Sequence, residues 1–218
     1  LAIDLPGHGY SEGPSLKSIE EQGKWISDVI DSTGMKEASL VGHSQGCLIT
    51  MECASQFPKK VKSLALMGGA GAIPMNPELL DLAEKGDPKA VDLMMDWAHG
   101  PGGHFGGHPV PGLHHINLGG TIVINGSIKD NLGVDFRACD NYKNGFEAAK
   151  KIICPTINIL GAQDRMCPVK EGKKLADNIK GSEVEIIENC GHMILLEEAS
   201  KALSILKKFI KKNHPVDN

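Results

Sequence analysis

The pentapeptide Gly42-His43-Ser44-Gln45-Gly46 follows the short apolar pair Leu40-Val41 and runs straight into an apolar, helix-patterned stretch over residues 47–57. A strand that turns sharply into a helix with serine at the tip presents that hydroxyl clear of the backbone, the arrangement of a nucleophile elbow. Such a turn strains the serine backbone and leaves space only for very small residues two positions before and after, which Gly42 and Gly46 supply. It also aims the first N–H of the helix, that of Gln45, at the space where an attacked carbonyl oxygen would become negative.

The 218 residues, 41% hydrophobic and 23% charged, are enough for one domain with a substantial core and an inserted lid. A net charge of -4 leaves no basic face for nucleic acid. The basic cluster Lys207-Lys208 with Lys211-Lys212 reads as the solvated side of a terminal helix. No apolar run approaches the roughly 20 residues of a membrane span, so a soluble chain is expected, and a set of reduced thiols leans towards a cytoplasmic one. Cysteines 47, 53, 139, 154, 167 and 190 contain no CxxC pair, and Cys47, Cys53 and Cys154 lie in apolar stretches, so they are expected as reduced thiols.

Along the chain, residues 1–3 read as the end of a strand, and Asp4-Leu5-Pro6-Gly7-His8-Gly9-Tyr10-Ser11 as a tight turn. Ser18 and Glu21 form a capping pattern for a helix over 18–32. A strand at 38–41, a helix at 45–57 and a strand at 63–67 follow; this alternation predicts a parallel sheet. It stops at Gly68-Gly69 and resumes at Thr156, with helix starts expected at Asn76-Pro77 and Asp87-Pro88, a loop over 99–120 and a short helix at 147–151. Strands at 156–160 and 184–188 alternate with helices at 169–179 and 197–212. The division is therefore 1–70 core, 71–153 inserted helical cap, 154–218 core. Ser44, Asp164 and His192 all fall just beyond the carboxyl ends of strands, where open parallel sheets bind ligands.

Four motifs, the Asp4–Ser11 turn, Gly42–Gly46, Gly161-Ala162-Gln163-Asp164 before Pro168, and Gly191-His192, together make the whole chain resemble the α/β-hydrolase superfamily, specifically its bacterial helical-cap members. The resemblance implies an open, mostly parallel sheet with flanking helices and a helical cap. It implies Ser44 as nucleophile, His192 as base, Asp164 as its partner, and the Gln45 backbone N–H as one oxyanion donor. The expected activity is cofactor-free hydrolysis of a small-molecule carboxylic ester or related acyl bond through an acyl-serine. Serine at the elbow excludes relatives that use a carboxylate there. Members ordinarily carry three further strands and a second oxyanion donor before the Asp4 motif, so an N-terminally truncated chain is expected.

Two alternatives stay open at this level: a carbon–carbon bond hydrolase of diketone-like ring-cleavage products, with Arg137 or Arg165 holding a substrate carboxylate, and a non-catalytic receptor that keeps the pocket. His43 is expected to shape the elbow and Asp4 and His8 to build their turn. His99, His104, His108, His114 and His115 invite a metal, but their spacing is irregular and no carboxylate or cysteine lies among them, so no metal site is assigned. Met94, Met95 and Trp97 are expected as helical core, and Cys167 and Cys190 as inert.

Overall fold

The computed structural model describes residues 1–104 and 131–214. Four strands, β1 (Ala38–His43), β2 (Val61–Met67), β3 (Thr156–Gly161) and β4 (Glu183–Ile187), form a parallel sheet in that order. The register sets Gly42 beside Leu66, Met67 beside Ile159, and Gly161 beside Ile187, so the carboxyl ends of all four strands share one edge. Parallel strands need crossovers, and helices supply them: α2 (Gln45–Gln56) between β1 and β2, and α8 (Val169–Asp177) between β3 and β4.

Alternating side chains on β2 feed two cores, the second shared with β3. Leu64 and Leu66 pack with Ile26 and Ile30 of α1 (Ile19–Ser32), Leu48 and Met51 of α2, and Leu175 of α8. On the other face Ala65, Met67, Ile157 and Ile159 pack against Ala202 and Phe209 of α10 (Ala199–Asn213). Helices on both faces of a parallel sheet define the α/β class expected from the alternation.

Between β2 and β3 the described chain is helical: α3 (Pro77–Glu84), α4 (Lys89–Ala98), α5 (Pro101–His104), α6 (Leu132–Asn141) and α7 (Gly145–Ala149). Asn76 caps α3 by accepting from the N–H groups of Glu78 and Leu79 at 2.9 and 3.2 Å. Asp87 accepts from Lys89 N–H at 3.0 Å, although α4 itself begins two residues later. A separate apolar cluster joins α3, α4 and α6 through Leu79, Leu80, Val91, Met95, Leu132 and Phe136. Helix α6 was not anticipated; its signal is Leu132, Phe136 and Cys139, buried at helical spacing.

Three expectations need correction. Residues 1–3 form no strand: Leu1 is 98% exposed, and the segment lies along a cavity wall without a paired neighbour. Residues 101–104 form a helical turn where a loop was expected, while His108, His114 and His115 lie outside the described residues. The closing helix begins at Ala199, two residues later than expected, because Glu198, at φ -139° and ψ 45°, separates α9 (Ile194–Glu197) from α10. No helix among the described residues is long and apolar enough to cross a membrane.

Core and helical insertion are tied by a buried polar contact in which Tyr142 Oη donates to Glu52 Oε2 at 2.6 Å. Burial and the neighbouring carboxylate push the phenol well above its ordinary range, so it stays protonated and donates. Tyr142→Phe removes that donor from a carboxylate that α2 holds out of solvent. We expect a loss of about 1–3 kcal/mol, measured as a lowered urea midpoint with an unchanged m-value.

Candidate active site

Ser44 sits between β1 and α2 at φ 55° and ψ -121°, a conformation that a non-glycine residue adopts only under strain. The surroundings enforce it. Ser44 N–H donates to Met67 O at 3.0 Å, and the Cys47 thiol donates to Gly42 O and Met67 O, each at 3.2 Å. A Cβ on Gly42 would lie 2.2 Å from Gly46 O, so only glycine fits where strand and helix cross. The requirement is one-sided, for a Cβ on Gly46 meets nothing within 4 Å. Spacing in the sequence makes the two glycines look alike; the structure separates them.

Asp164 and His192 come from the loops after β3 and β4. The Asp164 side chain has no solvent contact, 0% exposed, and its charge is met by three donors. Oδ1 accepts from the N–H groups of Met166 and Cys167 at 2.8 and 2.7 Å, and Oδ2 from His192 Nδ1 at 2.8 Å. That bond fixes the proton of neutral His192 on Nδ1 and leaves Nε2 as the basic nitrogen. Nε2 is buried and has no hydrogen-bond partner among the described residues, so the Ser44 hydroxyl does not donate to it in this state. The His192 backbone is gripped on both sides: its N–H donates to Ala98 O at 2.7 Å, and its carbonyl accepts from His43 Nε2 at 2.7 Å.

Ser44, Gln45 and His192 line one cavity of about 620 Å³, with Asp164 behind the imidazole. Gln45 is the first residue of α2, where a backbone N–H has no intrahelical acceptor. The remaining walls are mostly apolar, including Leu40, Ile49, Ile73, Met75 and Phe136. Met94 and Met95 both face this cavity and both pack with the helical cluster, Met95 within it and Met94 against it; Trp97 is 39% exposed and lines neither. No lysine or arginine lines the cavity among the described residues. Arg137 pairs with Glu84 at 2.7 Å, and Arg165 donates to Asp96 O, so neither is placed to hold a substrate carboxylate.

Sequence reasoning missed two neighbours of the site. Gly68, at φ 58° after β2, would put a Cβ 3.1 Å from His192 Nδ1 and 3.4 Å from Asp164 Oδ2; its signal was the Gly68-Gly69 pair ending a strand. Asp135 of α6 lines the cavity and accepts from His8 Nε2 at 2.7 Å, which raises the His8 pKa and docks the turn onto α6. Within the turn, Asp4 Oδ2 accepts from Tyr10 N–H at 3.1 Å and Asp4 O from Ser11 Oγ at 2.7 Å, a structural use of the motif. All six cysteines are free thiols; burial pushes Cys190 up to about 12 and Cys167 well up, so both stay protonated and unreactive at neutral pH. No cluster of metal-ligating side chains occurs among the described residues.

A family model described as the α/β-hydrolase fold matches residues 1–100. A thermophilic esterase of known structure superposes with a TM-score of 0.82 over 97% of this chain and 80% of the other, at 28% identity. Fold, strand-end loops and these matches together define the class: the chain has the α/β-hydrolase fold and is a hydrolase. Among curated relatives it is 28% identical to monoacylglycerol lipase abhd6-B of Xenopus laevis, across 100% of this chain and 69% of that protein. It is 24% identical to 2-hydroxymuconate semialdehyde hydrolase of a Pseudomonas species, across 96% of this chain and 75% of the other.

Two outcomes follow from the elbow and its histidine. Gly42→Ala forces backbone apart and should cost at least about 1–3 kcal/mol in urea unfolding, whereas Gly46→Ala, on a helix with open space beside it, should stay within about 1 kcal/mol of wild type. Desolvation, then the adjacent imidazole of His192, lowers the His43 pKa to about 4. Because the folded value lies below the unfolded one, the stability it contributes is present above pH about 6.5 and is lost as pH falls towards 4. Urea midpoints measured across that window should fall less steeply in His43→Gln, which keeps a donor to the His192 carbonyl but does not titrate.

Proposed function

We propose that this chain is a cofactor-free serine hydrolase that cleaves a neutral carboxylic ester or related acyl bond, with residues 71–153 acting as a cap over a core formed by 1–70 and 154–218. The observation that carries the reading is that the strained Ser44 faces the same cavity as the buried, unpartnered Nε2 of a histidine whose Nδ1 is held by a buried carboxylate.

A serine hydroxyl is a weak nucleophile at neutral pH and needs a base that removes its proton as it attacks. In this scheme Ser44 Oγ bonds to the acyl carbon while His192 Nε2 takes the hydroxyl proton, and the Gln45 N–H stabilises the oxyanion. Asp164 holds the ring and stabilises the imidazolium. Collapse expels the alcohol, which receives the proton from His192, and leaves an acyl ester on Ser44. Water, deprotonated by His192, then attacks that ester; the acid leaves and Ser44 regains its proton. Apolar walls suit an acyl chain, and the esterase and monoacylglycerol lipase likenesses favour such a substrate. A cavity without a described cation favours an ester over an anionic ring-cleavage product.

Covalent labelling by a fluorophosphonate and hydrolysis of p-nitrophenyl esters test this together. Ser44→Ala should abolish labelling and lower kcat/KM at least about a thousandfold, and His192→Ala should depress both sharply. A folded protein that neither labels nor turns over esters would instead be a receptor or a hydrolase of narrow carbon–carbon specificity.

A further inference from the structure

Glu197, six residues after Gly191 and outside the groups that would touch substrate, receives an unusual number of backbone donors. Its Oε2 accepts from Gly100 N–H at 2.9 Å and Gly191 N–H at 3.0 Å, and its Oε1 accepts from Met193 N–H at 3.1 Å. Two of those donors flank His192, and the third belongs to the chain leaving α4. Hydrogen bonds to an ionised acceptor are about twice as strong as neutral ones, so one side chain joins the two segments firmly.

The same place is a junction of three loops packed backbone to backbone. A Cβ on Gly191 would lie 2.2 Å from Gly100 N, and one on Gly161 would lie 2.1 Å from Gly191 O. Gln163 N–H donates to Cys190 O at 2.8 Å, tying the Asp164 loop to the His192 loop. From the α4 side, Ala98 O accepts from both His192 N–H and Met193 N–H, at 2.7 and 3.1 Å. Contact between chains at this spacing leaves no side chain to absorb a shift, so displacement of the α4 end is passed to the His192 backbone. The break at Glu198 accompanies this arrangement, with the glutamate turned back into the junction rather than along the helix.

We propose that Glu197 is a positioning residue that locks the His192 loop onto the end of α4, so that the seat of the helical insertion sets the aim of Nε2 at Ser44. The proposal rests on the serine-hydrolase reading for its effect on rate, but the clamp itself is independent of it. A carboxylate accepts at both oxygens. The glutamine amide offers one carbonyl oxygen and presents an N–H₂ to a remaining N–H donor, which opposes it. Glu197→Gln thus keeps the shape and breaks part of the clamp, while Glu197→Ala removes all of it.

The test compares full-length wild type, Glu197→Gln, Glu197→Ala and Tyr142→Phe, the last as a destabilised control remote from the junction. Fluorophosphonate titration counts competent sites, so that kcat is expressed per labelled site. Glu197→Gln should lower per-site kcat about 10- to 100-fold with KM within about twofold, as expected for displacement of a base by under about 1 Å. Its pH–rate profile should shift at the limb that reports His192, and the His192 Nδ1–H proton resonance should broaden at temperatures where it is sharp in wild type. Tyr142→Phe should lower Tm and leave per-site kcat, pH profile and resonance unchanged. A Glu197→Gln protein with wild-type per-site kcat, pH profile and His192 resonance would overturn the proposal, whatever its Tm. If wild type itself neither labels nor turns over, the serine-hydrolase reading fails and the resonance alone decides the clamp.

Discussion

A carboxylate fully removed from water must be surrounded by donors or lose its charge, and Asp164 meets that condition with two backbone N–H groups and one imidazole. The requirement organises the region around it. The turn after β3 must curl back so that Met166 and Cys167 point their N–H groups at Oδ1, and the loop after β4 must bring His192 within 2.8 Å of Oδ2. Once Nδ1 is committed, Nε2 is the only ring nitrogen left to act. The sheet register makes this possible by ending β3 and β4 side by side.

The opposite wall is built from strain rather than charge. Ser44 keeps a left-handed conformation because Gly42 lets the helix backbone cross the strand and because Met67 O holds the serine N–H. His43, the residue before it, reaches across to the His192 carbonyl, so the elbow and the His192 loop are joined by a direct bond. Burial keeps that imidazole neutral, consistent with donation to a carbonyl and with no share in proton transfer. The walls between these groups are mostly apolar.

Much of this was legible in the chain. The caps at Ser18 and Asn76 hold as read, because capping depends on residues within one helical turn. Alternation of strand and helix defined the class, and the glycine-bearing strand ends pointed to Ser44, Asp164 and His192. Local pattern failed where the outcome rests on a distant neighbour. Residues 1–3 are apolar enough for a strand, yet a strand exists only beside another, and none pairs with them here. Helical periodicity placed the closing helix at 197–212 but not its start at Ala199, because Glu198 leaves the helical region beside the Gly100 junction. Gly46 looked as necessary as Gly42 because spacing cannot say which face of a turn is crowded.

By itself the sequence determined the α/β-hydrolase fold, the strained setting of Ser44 and the side chains carried by the strand-end loops, since these follow from motif chemistry and short-range geometry. Only the tertiary structure decided which groups meet. It set Asp164 behind His192, sent Arg137 and Arg165 away from the cavity, and brought Asp135 and Glu197 in from separate elements. Residues far apart in the chain find each other through packing and backbone hydrogen bonds, and no local pattern encodes that pairing.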